Sequence, residues 1–156
     1  MIIELPWWGW ALVAVGLAIL IGLAFYAGQL LRQLKQQRQQ QQQALDKRNE
    51  RLHESIVTIA KAMEQEQCPF SEGAIRLVVL LDLRAEPNKP VYSELYPALH
   101  EMYERIKHMP THEARKQYPK AEIRKMDRER EGYEKEMADI IMQDVRQLLK
   151  DFGVRN

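Results

Sequence analysis

The chain has 156 residues, with 23 Lys plus Arg against 22 Asp plus Glu, four His and one Cys. This near-neutral balance counts against a general nucleic-acid binder, which usually carries a large basic excess. A single cysteine excludes an internal disulfide framework and any zinc site built on paired cysteines, and it suits a reducing compartment.

From Trp7 to Leu31 the sequence runs 25 residues without Asp, Glu, Lys or Arg. At roughly 1.5 Å per residue this makes about 37 Å of helix, against a hydrocarbon core of about 30 Å, so it predicts a membrane span. Pro6 suits a first helical turn. Trp7, Trp8 and Trp10 favour one headgroup boundary, and Tyr26 followed by Arg32, Lys35 and Arg38 marks the other. Only Glu4 precedes the span. The basic excess after it predicts a short non-cytoplasmic tail, 1–6, and a cytoplasmic C-terminal portion. A cleaved signal peptide needs a basic leader and a shorter core, and neither is present. Ala14, Ala18 and Gly22 form a small-residue ridge that can favour a homodimer, although such residues are common in single spans.

The connector, 32–50, opens with RQLKQQRQQQQQ, in which eight of twelve residues are Gln. It reads as a solvated extension of the membrane helix or as a flexible tether. Arg32, Lys35 and Arg38 share a face and are candidate lipid-headgroup contacts, at about 1 kcal/mol each. The alternative is that they only set topology.

Residues 51–156 carry helical signals. Leu45, Leu52, Ile56, Ile59 and Met63 form a stripe too short for a dedicated coiled coil, so packing on the domain is expected. Cys68-Pro69 breaks the helix, and Ser71 offers an N-cap with Glu72 in the first turn. The run AIRLVVLLDL, Ala74 to Leu83, has no strand to pair with and predicts the central, most buried helix. Ala85 to Pro90 is a loop. Ser93 is the expected cap of a helix through Pro97, with Leu95, Leu99, Met102, Tyr103 and Ile106 on its face. Thr111 is the expected cap of a short piece. Pro119 opens a long last helix to Phe152, closed by Gly153. Its apolar half holds Met137, Ile140, Ile141, Val145, Leu148, Leu149 and Phe152, and its charged half is expected at the surface. The fold class is all-α: one N-terminal transmembrane helix, then a small cytoplasmic bundle of four or five helices ending in a long one.

Chemistry is sparse. His108 and His112 have helical ligand spacing, but Pro110 between them spoils it, and no metal or cofactor is expected. Cys68 precedes a helix start, yet no flanking motif marks it as a nucleophile. An enzyme using Cys68 or the group His100, His108 and His112 is therefore the third-ranked reading. Arg76 and Asp82 interrupt the most apolar helix and are candidate buried polar groups, with Arg105 or Glu101 as suggested partners. Arg115, Lys116, Lys120, Arg124, Lys125 and Arg128 form a mildly basic ridge, a candidate partner-binding surface. Interleaved acids also fit a solvated helix laced by i,i+4 pairs.

Taken together, SEGAIRLVVLLDL, YSELYPALHEMYERI and MPTHEARKQYPKAEIRK resemble domain-of-unknown-function family 2489, over nearly all of the chain. The resemblance implies a bacterial inner-membrane protein and supplies no activity or catalytic residue. The expectation is a non-enzymatic adaptor or regulator that binds a protein at the cytoplasmic membrane face. The alternative is membrane-proximal nucleic-acid or ribosome binding through the ridge 115–130.

Overall fold

A computed structural model describes residues 6–153, apart from the side chain of His112. The expected tail, Pro6 excepted, and residues 154–156 lie outside the described residues. Six α-helices and no strand occur among the described residues: α1 (Trp7–Glu64), α2 (Phe70–Leu83), α3 (Tyr92–Leu95), α4 (Pro97–Ile106), α5 (His112–Arg115) and α6 (Lys120–Gly153). The chain divides into two compact units, residues up to Asp46 and from Lys47 onward.

The first unit is a length of α1. Its apolar side chains from Trp7 to Leu31 stand exposed, and this segment is long and apolar enough to cross a membrane. The helix continues without a break through 32–50. No Gly or Pro interrupts that stretch, and Gln forms helix well. Of the two sequence expectations for the connector, the helical extension is the one observed.

The second unit is a helical bundle around one core. Ile56, Ala60 and Met63 of α1 are fully buried, as are Ala74, Leu77 and Leu81 of α2. Leu99 and Met102 of α4 join Met137, Ile141, Val145 and Leu148 of α6 in the same cluster. α1 ends in a Schellman motif. Glu66 takes φ 57°, its N–H donates to Met63 O, and Gln67 N–H donates to Ala62 O. Two orphan carbonyls are thereby satisfied, with Glu where Gly is usual. α1 meets α2 at Gly73, where an added Cβ would lie 2.6 Å from Met63 Cγ and 2.7 Å from Met63 Cε.

Three expectations change here. Ser71 does not cap α2; Pro69 occupies the cap position, and Ser71 is buried inside the first turn. The helix expected from Ser93 through Pro97 is split at Tyr96, which takes φ −130° and ψ 66°. The residue before a proline is pushed out of the α region, so α3 stops and α4 starts anew with Pro97 in its first turn. Leu95, expected on the apolar face of that helix, is exposed on α3; α2 keeps six buried residues and leaves Val79 and Leu83 exposed.

Candidate functional site

α6 organises the second unit by supplying carboxylates to the bare N-termini of two other helices. Neither α2 nor α4 has a side-chain cap of its own. Glu134 accepts hydrogen bonds from the backbone N–H of Ser71, at 3.1 Å, and from the Ser71 hydroxyl. Asp144 accepts from the N–H groups of Ala98 and Leu99, at 2.7 and 3.1 Å. Each carboxylate satisfies donors that a helix leaves unpaired and sits at the positive end of its dipole. Burial pushes the Asp144 carboxyl above the usual range, although both N–H groups oppose that shift. Tyr96 donates to Asp151 at 2.7 Å.

A cleft of about 410 Å³ opens where the N-terminus of α2, the end of α4, the α4–α5 turn and the first half of α6 converge. Its apolar lining is Ile75, Ile106, Met109, Pro110 and Met126, and its charged lining is Glu72, Arg76, Arg115, Asp127 and Arg130. Arg115 grips Asp127 with two parallel bonds, at 2.9 and 2.8 Å. Arg130 approaches the same carboxylate at 3.2 Å. The Arg115 guanidinium, assisted by Arg130, holds the Asp127 carboxyl below the usual range. Fork-to-carboxylate pairing is the strongest and most directional form of this contact. Arg76 pairs with Glu72 at the mouth.

The expected basic ridge is divided by the fold. Arg115 turns into the cleft, and Lys116 pairs with Glu113. Lys120, Arg124, Lys125 and Arg128 are exposed, and they form no ion pair among the described residues. Arg32, Lys35 and Arg38 are exposed on α1, and so are Ala14, Ala18 and Gly22. Arg76 and Asp82 are not buried: Arg76 is exposed at the rim of the cleft, and Asp82 is exposed near the other end of α2 beside Leu83. Their suggested partners bind each other, with Arg105 on Glu101 at 2.6 Å and on Glu136 at 3.2 Å. A more enclosed guanidinium is that of Arg84, half-buried, paired with Glu86 and lying 4.9 Å from the Phe152 ring centre.

Of the remaining chemistry-bearing groups, the side chain of His112 lies outside the described residues and His108 is exposed. Burial pushes the Cys68 thiol up, and Glu72 adds to that shift, opposite to what an activated thiolate needs. His100 Nδ1 lies 3.0 Å from Tyr96 O, and His53 packs against Phe152. No group of three His, Cys, Asp or Glu among the described residues is placed to hold a metal ion.

Sequence reasoning missed the two capping carboxylates and the convergence of Arg76, Arg115 and Arg130. A signal for one cap existed. Asp144 follows Met137 by seven residues and Ile141 by three, so it falls inside the apolar stripe of α6. A carboxylate on a buried face calls for a donor.

The family model described as protein of unknown function (DUF2489) matches residues 20–148. The chain belongs to the DUF2489 family. An uncharacterized protein of Haemophilus influenzae is 38% identical over 144 residues, covering 91% of this chain and 94% of that one. No solved structure matches. The DUF2489 match takes in the cleft, both capping carboxylates and the latter part of the apolar segment.

Proposed function

We propose that this DUF2489 member is a non-enzymatic adaptor or regulator, anchored once in the bacterial cytoplasmic membrane with its N-terminus outside. Its helical unit binds a protein partner at the cytoplasmic face. The observation that carries the reading is the apolar segment of α1, whose side chains are exposed from Trp7 to Leu31. So extensive an apolar surface needs lipid or protein to cover it. Arg32, Lys35 and Arg38, all following the segment, support the orientation. The exposed cations of α6, Lys120, Arg124, Lys125 and Arg128, supply the partner-facing charge.

In-membrane crosslinking of the full-length protein, followed by purification with and without nuclease, tests this. One dominant protein is expected in both cases, and the double substitution Arg124→Glu and Arg128→Glu is expected to remove it while helicity is unchanged. Unchanged capture by that variant removes the ridge from the account. A phosphatase fused to the C-terminus is expected to be inactive; activity outside the cytoplasm overturns the orientation. The same four unpaired cations also favour a second reading, nucleic-acid binding, which predicts steep salt dependence and recovery that collapses with nuclease.

A further inference from the structure

The chain from Pro110 to Pro119 is a strap around α5, and its side chains other than those of Pro110 and Arg115 are exposed where described. Among the described residues, one charged contact ties a strap side chain to the rest of the bundle, the Arg115–Asp127 clasp. Thr111 makes no side-chain cap to α5. Beneath lie Ile75, Ile106, Met109 and Met126.

We propose that this cleft docks an acidic segment of a partner protein, whose carboxylate replaces Asp127 on Arg115 and Arg130 while a neighbouring apolar side chain enters between Met109 and Met126. The proposal rests on the reading that the partner is a protein. Three guanidinium groups face two carboxylates in the lining, so the cleft carries an excess positive charge that an incoming acid neutralises. Exchanging one carboxylate for another preserves both parallel bonds on Arg115. Asp127 is partly exposed, so it turns to water without leaving a buried charge. The apolar floor asks for a side chain beside the acid, which inorganic phosphate lacks.

Methionine oxidation reads the cleft directly. Met109 and Met126 line it and are half-buried, whereas Met102 and Met137 are enclosed in the core and serve as internal references. Full-length protein in detergent micelles is treated with peroxide, with millimolar amounts of a short peptide alternating leucine and glutamate, or of its glutamine twin. The glutamate peptide is expected to slow oxidation of Met109 and Met126 several-fold, and the twin is expected to have no effect. Arg130→Gln is expected to abolish the protection. Arg115→Gln without peptide is expected to speed oxidation of Met109 and Met126 while Met102 and Met137 keep their rates. Equal protection by both peptides, by neither, or by inorganic phosphate or an oligonucleotide in place of the peptide overturns the proposal. So does protection that survives Arg130→Gln. Failure here with nuclease-resistant crosslinking intact refutes the cleft alone; lost crosslinking with peptide protection intact refutes the ridge alone.

Discussion

Asp127 and Asp144 are both carboxylates of α6, and their surroundings move them in opposite directions. Asp127 is held low by Arg115, so its contribution is fully present above the ordinary Asp range and is lost as pH falls through its depressed value. Carboxyl titration followed by NMR is expected to place Asp127 below an ordinary aspartate, and Arg115→Gln is expected to return it. An unshifted Asp127 in the parent protein would mean that the clasp is open in solution. Asp144 is raised by burial. Its protonated form is favoured by folding, so its contribution declines as pH rises from the ordinary Asp range through its elevated value. At neutral pH it still caps α4. Asp144→Ala is expected to lower unfolding free energy by about 1–2 kcal/mol, and Asp144→Asn by less, because an amide oxygen still accepts. Denaturant midpoints at constant slope check both.

Among the elements, α1 and α2 approach closely at Gly73, which lies against Met63. Gly73→Ala puts a methyl into the fully buried Met63 side chain and is expected to destabilise by about 1–3 kcal/mol. Trimming the neighbour in Gly73→Ala/Met63→Val should recover part of that loss; additive losses in the double-mutant cycle would show that the two positions do not press on each other. These elements also show what a sequence can disclose. The apolar segment and α6 were legible end to end, because long uninterrupted periodicity and the Pro119 and Gly153 signals act locally. The break at Tyr96 was misread, although Pro97 announces it, because proline at a first helical turn is equally well tolerated. Arg76 was misread because an apolar sequence on either side implies burial only if every face is covered, and α2 leaves one open. The cleft was illegible: Arg115 meets Asp127 across the Tyr118-Pro119 break, and no periodicity predicts where a chain turns back. Asp144 was half-legible, a carboxylate inside the apolar stripe of α6 with no partner in view, and Glu134 was illegible, because it lies in the charged half of that helix.

At the scale of the molecule, the contrast lies between a unit whose apolar side chains are exposed and a unit that buries its own. A fragment from Lys47 onward retains every core residue of the bundle. It is expected to be soluble without detergent and to unfold in one cooperative transition by circular dichroism and calorimetry. Aggregation of the fragment, or non-coincident transitions, would show that the bundle depends on the segment before it. The capping carboxylates have a further consequence in time. Ala98 waits 46 residues for Asp144, and Ser71 waits 63 for Glu134. At synthesis rates of about 5–20 residues per second, these intervals are roughly 2–9 and 3–13 seconds. The apolar segment leaves the ribosome before the bundle, and α2 and α4 follow with bare N-termini and without the apolar stripe of α6. The last helix to be made is the one that finishes the earlier ones. For those seconds the nascent bundle is a client for any chaperone that reads apolar chain, and a stop codon before Glu134 would leave it so permanently.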